Sequence, residues 1–286
     1  MNGYALLELW WVVPSGLALL GYGLSLAGLT RAQRAVWVRA RIVEVGQPAH
    51  GESKGPAIPV TFAFRDPATG REFALPNAGK HGDAVREAWV GREFDVRYPP
   101  GQPHRFLVVA DGADAIDRSG RGGPDCAVAL LLVGLVIHAA VARGYPYALL
   151  GFGALLTAVA ALSPDIRRAR ARAARLASAV AVPARVVAVT TDVHTDGEGS
   201  EFVTHAPVVA FTTLDGIDVT VLSRAGLPDP GRSLGRELTI HYAPDDPAVH
   251  TPDLAFDRRE RAKDIGLVLA LLTAGIAAFL TGAALL

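Results

Sequence analysis

The sequence predicts an α+β membrane protein: four transmembrane helices plus two small all-β domains of barrel or sandwich type, built as a duplicated helix, β domain, helix repeat. Three observations support this fold class. Half of the 286 residues are hydrophobic, and the mean hydropathy of +0.28 is unusual for a soluble protein. Four stretches are apolar enough to cross a bilayer. The two polar segments between them repeat the same sequence words in the same order.

The four apolar stretches are long enough to cross a hydrocarbon core of about 30 Å, which takes about 20 helical residues. We predict transmembrane helices over 9–29, 126–142, 145–162 and 265–286. Only Arg143 and Gly144 separate the second stretch from the third, so these two are expected to form a helical hairpin. A cleaved signal peptide is the alternative for the first stretch, but that stretch lacks a positively charged leader and a clear cleavage site.

Basic residues flank the predicted spans almost entirely on one side. Short loops rich in Lys and Arg stay in the cytoplasm, and the opposite side has only Arg143. The sequence therefore predicts a multi-pass protein of the cell membrane with both large loops cytoplasmic and both termini outside. The basic residues that support this orientation are Arg31, Arg34, Arg39, Arg41, Arg118, Arg121, Arg167, Arg168, Arg170, Arg172, Arg175, Arg258, Arg259, Arg261 and Lys263.

The two large loops are predicted to be copies of one domain, at 33–112 and 178–253. Matching words occur in the same order in both loops, and the first and last pairs share an offset of 144 residues (184 minus 40, 234 minus 90). Such a series indicates an internal repeat. The words are ARIVEV (40–45) with ARVVAV (184–189), IPVTFAF (58–64) with APVVAF (206–211), and VGREFDVRYPPGQP (90–103) with LGRELTIHYAPDDP (234–247).

Within each copy, apolar and polar residues alternate, as in PVTFAF, REFDVRY, DVTVL and ELTIHY. This pattern is typical of half-buried strands, and roughly five strands per copy fit a small barrel or sandwich. Turn residues at 66–70 and at Asp215 and Gly216 predict a hairpin at the same place in both copies. The Gly-rich segments 49–56 and 194–202 are predicted to be flexible loops between the first and second strands.

A family resemblance rests on the strand that opens with A-R-V-V, the hairpin around Asp-Gly and the closing word G-x-x-x-x-V/I-x-Y-x-P-x-x-P. In these features the two loops resemble the bacterial membrane family catalogued as domain of unknown function 3592. The resemblance implies a small domain beside transmembrane helices and no established activity or substrate. This sequence departs from the family's Tyr-Asp-Pro word at Tyr98-Pro99-Pro100 and Tyr242-Ala243-Pro244, which removes the one carboxylate that would suggest catalysis.

The closing word has a structural interpretation. A tyrosine at a strand end buries its ring and leaves its hydroxyl near the surface, and the prolines that follow cannot donate to a neighbouring strand. Gly91 and Gly235 are expected to permit the turn into that strand. A ligand-binding role for Tyr98 and Tyr242 is the less favoured alternative.

The second copy contains titratable residues that could suggest a metal site. Their spacing matches no recognised ligand signature and the first copy does not repeat them, so a solvated acidic loop is the preferred interpretation. Cys126 is the single cysteine, and the sequence has no nucleophile-elbow, phosphate-loop or dinucleotide motif in a suitable setting. We therefore predict no enzyme, no metal and no cofactor. The residues considered are His194, His205, His241, His250, Asp192, Asp196 and Glu198.

His138 is the one strongly ionisable side chain well inside a predicted span, which makes it a functional candidate. Alternatively, a single histidine near the end of a helix can reach water or bond to a neighbouring helix. Small residues at every fourth position predict close packing of the third and fourth spans within a four-helix bundle. These residues are Gly153, Thr157 and Ala161 in the third span, and Ala270, Ala274, Ala278 and Gly282 in the fourth.

The segment 166–176, IRRARARAARL, continues from the third span with helix-forming residues. Each arginine near an anionic leaflet contributes about 1 kcal/mol to membrane attraction, so we expect this segment to lie against anionic headgroups. A nucleic-acid partner is not expected, because 28 Lys and Arg balance 28 Asp and Glu. The anchoring residues are Arg167, Arg168, Arg170, Arg172 and Arg175.

Two classes of function remain open. The first is a non-enzymatic scaffold or binding protein that presents two β modules to a protein partner at the inner face of the membrane. The second is a small transporter or channel-like protein whose β domains regulate the helix bundle. The scarcity of polar residues inside the spans favours the first. The oligomeric state is not predicted.

Overall fold

The computed structural model describes residues 10–48, 50–52, 58–77, 85–109, 118–163, 165–195, 201–223 and 227–286. These residues form two compact units, which divide at Arg34, at Ala169 and at Glu260. The helical unit contains the apolar helices, and the β unit contains the strands together with the adjoining turns of two helices.

The described helices are α1 (Val12–Leu26), α2 (Arg31–Arg34), α3 (Gly122–Arg143), α4 (Tyr145–Leu162), α5 (Asp165–Leu176) and α6 (Leu254–Ala284). Four helical stretches are long and apolar enough to cross a membrane by length and composition, and they correspond to the four predicted spans. They are Val12–Arg34, Gly122–Arg143, Tyr145–Leu176 and Leu254–Ala284.

The ends of these helices differ from the predicted spans in a way that capping explains. Helix α4 matches its prediction at both ends, whereas α6 begins at Leu254, well before the predicted start at 265. Asp253 starts this helix, since its Oδ1 accepts from the N–H groups of Phe256 and Ala255 at 3.1 and 2.7 Å. These bonds hold the pKa of Asp253 below its usual value. In α3, Pro124 occupies the first turn, where a missing N–H costs no helical bond.

The predicted helical hairpin is confirmed. Gly144 separates α3 from α4, and a Cβ placed on Gly151 would lie 2.9 Å from Cγ2 of Val136. On the other side of α3, a Cβ on Gly21 of α1 would lie 3.1 Å from Cβ of Pro124. Helix α3 therefore packs closely against both α1 and α4.

Helices α4 and α6 approach each other at glycines. A Cβ on Gly153 would collide with the backbone of Phe279, and one on Gly275 would lie 2.7 Å from Oγ1 of Thr157. The small-residue stripe predicted on the third span is confirmed at Gly153 and Thr157. Such close approach is typical of helices that pack inside a membrane.

The stripe predicted on α6 is confirmed at Gly282 and wrong at Ala270 and Ala274, and the predicted member Ala161 of α4 is also exposed. The buried residues of this helix are Val268, Gly275 and Gly282, each seven residues after the last, whereas Ala270 and Ala274 are exposed. With 3.6 residues per turn, steps of seven return to nearly the same face of a helix, while repeated steps of four drift around it.

The described strands form two sheets. The first has the order β4-β3-β1-β6-β7, and the second β12-β11-β8-β9-β10-β5, with β2 paired to β8. One of the two sheets nearly closes into a barrel. The strands are β1 (Val36–Val45), β2 (Gly51–Glu52), β3 (Val60–Arg65), β4 (Glu72–Pro76), β5 (Glu87–Ala88), β6 (Glu93–Tyr98), β7 (Leu107–Val109), β8 (Val180–Thr195), β9 (Glu201–Thr212), β10 (Asp218–Leu222), β11 (Glu237–Ala243) and β12 (Asp246–Thr251).

Five strands from each predicted copy have the same order and register. Strand β1 pairs with β6 from Val36 opposite Tyr98, and β8 pairs with β11 from Val180 opposite Tyr242, each 144 residues later (180 minus 36, 242 minus 98). Both first strands also contain a bulge, between Ile42 and Glu44 in β1 and between Val186 and Ala188 in β8.

The turn into the closing strand needs glycine in both copies. Gly91 and Gly235 have φ values of 96° and 76°. Residues with a side chain rarely adopt these values. Their N–H groups donate to the carbonyls of Ile42 and Val186 at 2.8 and 2.9 Å. The role predicted for these glycines is confirmed.

The strands of 33–112 and 178–253 belong to one compact β unit and share a core. The core of the first sheet, built on Ile42, Phe62 and Tyr98, also contains Val208 and Leu222 of the second. Strand β5 pairs with β10 of the other copy, and the N–H of Leu222 donates to the carbonyl of Arg86 at 2.7 Å.

The segments predicted as loops are partly strand. Gly51 and Glu52 form β2 and pair with β8, and β8 and β9 reach Thr195 and Glu201. Residues 49, 53–57 and 196–200 lie outside the described residues. The two predicted hairpins are confirmed by the pairing of β3 with β4 and of β9 with β10.

Candidate functional site

Helix α5 has two different sides. Ile166, Ala169 and Ala173 are partly shielded and Leu176 is buried, whereas the five arginines are exposed. Apolar residues at these helical spacings pack against the protein, and long basic side chains remain in water. Helix α5 therefore exposes five guanidinium groups, while these four apolar residues are buried or partly shielded.

Arg172 connects α5 to the start of α6 and to β12. Its Nε lies 2.9 Å from Oδ1 of Asp257, and its Nη2 donates to the carbonyl of His250 at 2.7 Å. The Asp257 side chain is only 12% exposed, so water screens this pair less than an ordinary surface pair.

Arg175 connects α5 to the turn before β12. Its Nη1 donates to Oδ2 of Asp246 at 2.7 Å, and its Nε lies 3.8 Å from Oδ2 of Asp245. The other oxygen of Asp246 accepts from the N–H of Ala248 at 3.1 Å, which orients the carboxylate. We call Arg172, Arg175, Asp245, Asp246 and Asp257 the arginine junction.

His250 lies buried beside this junction. Burial lowers its pKa to about 4, against the effect of the carbonyl of Ala248, and the positive charge of Arg172 lowers it further. The imidazole is therefore neutral at physiological pH. The junction can hold α5, β12 and α6 together, and it offers no nucleophile or acid–base pair.

The other three arginines predicted to anchor α5 have a different environment. Arg167, Arg168 and Arg170 are exposed in the first two turns of α5. No described carboxylate lies within ion-pair distance of these three. The five predicted anchors thus divide into two that bind aspartates and three that face outward.

The largely shielded side chain of Arg92 supports β5, the strand that pairs with β10. The guanidinium of Arg92 stacks between the rings of Trp89 and Phe94, 4.6 and 4.5 Å from their centroids. Its Nη1 lies 3.3 Å from Oε2 of Glu87 and also donates to the carbonyl of that residue. Because Glu87 pairs with Val221, Arg92 fixes β5 where it joins the other copy. Sequence reasoning missed this residue, although a Trp-x-x-Arg word beside the turn glycine was a signal.

The closing tyrosines are buried as predicted, with 1% and 2% exposure for Tyr98 and Tyr242, but the hydroxyl of Tyr98 is buried and not near the surface. The hydroxyl of Tyr98 donates to Oδ1 of Asp66 at 2.9 Å in a buried bond. The hydroxyl of Tyr242 accepts from the N–H of Leu214 at 2.9 Å. Each hydroxyl binds the hairpin turn of its own copy, because the strand ends beneath that turn.

The Asp66 turn is held by several bonds. A hydrogen bond from Thr69 and another from Tyr98 keep the pKa of Asp66 below its usual value. Burial and the neighbouring Asp66 raise the pKa of Tyr98 to about 12. These groups stabilise the turn.

The histidines considered as metal ligands are distributed over the sheet. His205 lies on β9 with its Nδ1 3.3 Å from Oγ1 of Thr191, His241 lies on β11 opposite Thr251, and His250 is buried on β12. Asp192 and His194 belong to β8, and Asp196 and Glu198 lie outside the described residues. Among the described side chains, no group of three or more metal-binding residues occurs.

The contact between α1 and α3 contains His138. The ring of His138 lies 6.3 Å from the ring of Trp10, at an interplanar angle of 37°. A Cβ on Gly134 would collide with the same indole. His138 therefore contacts a neighbouring segment of the chain near one end of this helix pair.

Near the opposite end of α3, Asp125 accepts a hydrogen bond of 2.6 Å from the hydroxyl of Tyr22. Sequence reasoning missed this residue because the predicted span began at 126, whereas α3 begins at Gly122. Cys126 next to it is a free, exposed cysteine.

The longest strands form a ribbon that extends past its neighbours. Strands β8 and β9 pair from Ala184 opposite Phe211 to Thr195 opposite Glu201. On the outer side of β8, the pairing with β2 ends at Thr191. On the outer side of β9, the pairing with β10 ends at Val208. We call residues 192–195 and 201–204 the ribbon tip. Among the described strands, none pairs with its outer edges.

Comparison of the chain with protein-family models, with curated proteins and with solved structures finds no match in any of the three.

Proposed function

We propose that the chain is a non-enzymatic, multi-pass membrane protein that acts as a scaffold, with its β unit binding a protein partner through the ribbon tip. The observation that carries this proposal is that, within the described part of the chain, no strand pairs with the two outer edges of the ribbon tip. An extended peptide adds readily to such an edge, because the backbone groups of the edge supply hydrogen bonds.

The exposed side chains of the ribbon tip suit a binding surface. Val203 is 52% exposed, and Thr204 beside it is also exposed. An exposed β-branched pair can pack against the side chains of a neighbouring strand. The partner that fits this edge is an extended segment.

The charge of the ribbon tip indicates the charge that a partner segment should have. The ribbon-tip segments 192–195 and 201–204 contain no Lys or Arg, and their acidic residues are Asp192 and Glu201. A segment with only negative charges attracts basic partners and repels acidic ones. The expected partner segment is therefore basic as well as extended.

The arginine junction supports the scaffold role. Arg172 and Arg175 fix the end of α5 to β12 and to the first turn of α6. Both contacts lie within the β unit and fix the segments through which the chain enters and leaves that unit. This fits presentation at the inner face of the cell membrane, with both termini outside.

Crosslinking and pull-down of the full chain from native membranes tests the proposal. The double variant D192K/E201K reverses charge on the ribbon tip, and D215K changes an exposed turn residue as the matched control. A reproducible partner should be lost with D192K/E201K and retained with D215K. A partner retained by both variants contradicts the proposal. Deleting 184–252 is a poorer test, since it also removes core residues of the first sheet.

A small transporter or channel-like protein regulated by its β unit is the second candidate. The observations that favour it are the hydrogen bond from Tyr22 of α1 to Asp125 of α3 and the ring contact between His138 of α3 and Trp10, which precedes α1. Ionisable groups between membrane helices mark transport paths in other proteins. Solute flux in liposomes that is lost in both H138A and D125N would favour this function over the scaffold.

We also propose that the helix, β domain, helix arrangement is a duplicated repeat of the family catalogued as domain of unknown function 3592. Equal strand order, equal register at an offset of 144 residues (180 minus 36) and equal bulges support the duplication. The family assignment remains a prediction from the closing word.

A further inference from the structure

We propose that Arg167, Arg168 and Arg170 form a binding surface for the phosphates of anionic phospholipid headgroups, while Arg172 and Arg175 serve only the arginine junction. This inference is independent of the scaffold proposal, because it concerns α5 and a lipid rather than the ribbon tip and a protein.

The five arginines of α5 divide into two groups by their contacts. Arg172 and Arg175 have aspartate oxygens at 2.9 and 2.7 Å. Arg167, Arg168 and Arg170 are exposed and have no such neighbour among the described carboxylates. A guanidinium without a carboxylate is available for phosphate, which it binds with two parallel hydrogen bonds.

The three arginines without a carboxylate partner among the described residues lie close to α4 along the chain. Arg167 follows Leu162, the last residue of α4, by only five residues. Five residues span at most about 18 Å, so the Arg167 backbone stays close to the end of that apolar helix. The headgroup layer on each side of a bilayer is about 5–7 Å thick, and an arginine side chain extends toward it.

The apolar side of α5 is partly withdrawn from solvent. Leu176 is buried, and Ile166, Ala169 and Ala173 are partly shielded. An interfacial helix that inserts into acyl chains uses exposed apolar residues for that contact. Because the large exposed side chains of α5 are arginines, attraction to the membrane rests on charge and requires anionic lipid.

Lipid retention by the purified full chain in detergent, measured by native mass spectrometry, tests this surface. Phosphatidylglycerol should bind, and phosphatidylcholine at the same concentration should bind at least tenfold less. The triple variant R167Q/R168Q/R170Q should lose phosphatidylglycerol binding at least tenfold, with an unchanged melting temperature. The matched control R172Q/R175Q should keep binding within twofold and melt at a lower temperature.

Three results would overturn the proposal. The triple variant could bind phosphatidylglycerol as well as the unaltered chain, or the control could lose binding to the same extent. Inorganic phosphate at the lipid concentration could displace phosphatidylglycerol, in which case the three arginines form a general phosphate site and not a headgroup surface.

Discussion

Arg172 and Asp257 join two helices across 85 residues of sequence, with Nε and Oδ1 2.9 Å apart. The same guanidinium donates to the carbonyl of His250, so one side chain contacts the end of α5, the start of α6 and strand β12. In the sequence, Arg172 looks like every other arginine of its segment. Only its partners distinguish it from Arg168 one turn earlier.

Removing this contact should destabilise the β unit. We expect R172Q to lower the free energy of unfolding by about 1 kcal/mol, because a partly exposed ion pair contributes up to about 1 kcal/mol and the bond to His250 adds to it. Denaturant titration followed by tryptophan fluorescence measures the change. R168Q is the matched control and should change stability by less than about 0.5 kcal/mol. If R172Q, D257N and the double variant lower the free energy of unfolding equally, the two residues stabilise the protein through their mutual contact. Additive effects would refute it.

The two closing tyrosines should differ in the cost of losing their hydroxyls. We expect Y98F to cost about 1.5–3 kcal/mol, since the lost bond goes to the buried, ionised carboxylate of Asp66. Y242F should cost about 1 kcal/mol or less, because water can replace its bond to the N–H of the exposed Leu214. Thermal or denaturant unfolding of the two variants measures both costs. A larger cost for Y242F would contradict the assigned bonds.

His250 should make the β unit less stable in mild acid. Its folded pKa of about 4 lies below its unfolded value of 6.5, so the unfolded chain binds the proton first and stability falls as pH decreases through that window. Between pH 7.5 and 5 we expect a loss of about 2 kcal/mol.

The variant H250Q should flatten this dependence between pH 7 and 5. Asp66 and Asp253, whose pKa values are lowered in the folded chain, stabilise it above the unfolded value of about 4 and lose this effect only in stronger acid. Denaturant titrations at several pH values separate the two windows. An unchanged slope in H250Q between pH 7 and 5 would exclude His250 as its source.

The contact between α4 and α6 should not tolerate a side chain at its glycine. We expect G275V to destabilise the helical unit by about 1–3 kcal/mol, because its Cβ would meet Thr157. A274V next to it points outward and should be nearly neutral. Melting of both variants in detergent provides the comparison. Equal melting temperatures would argue against the close approach.

Most strands of the β unit could be predicted from the sequence, because alternation and matching words recur in both copies. The words around Ile42, Val186 and the closing tyrosines predicted β1, β6, β8 and β11. The shared core could not be predicted. A bulge between Val186 and Ala188 places the side chains beyond it on the other face of the sheet, and sequence alternation does not reveal such a change.

The arginine junction shows a similar limit for the candidate site. Five arginines in one basic helix have the same composition whether they face lipid or protein. The aspartates that separate Arg172 and Arg175 from the others are 70 to 85 residues away in sequence. For a comparable reason the importance of Asp125 could not be predicted, since it depends on contact with Tyr22 in another helix.

The strands of 33–112 and 178–253 fold as one unit with a shared core. Hydrogen exchange of the variant V208D tests it most directly, because Val208 lies on β9 of the second copy but packs into the core of the first. We predict loss of amide protection in β3 and β6 of the first copy as well as in β9. Loss confined to β8, β9 and β10, with β3 and β6 as protected as in the unaltered chain, would contradict the shared core.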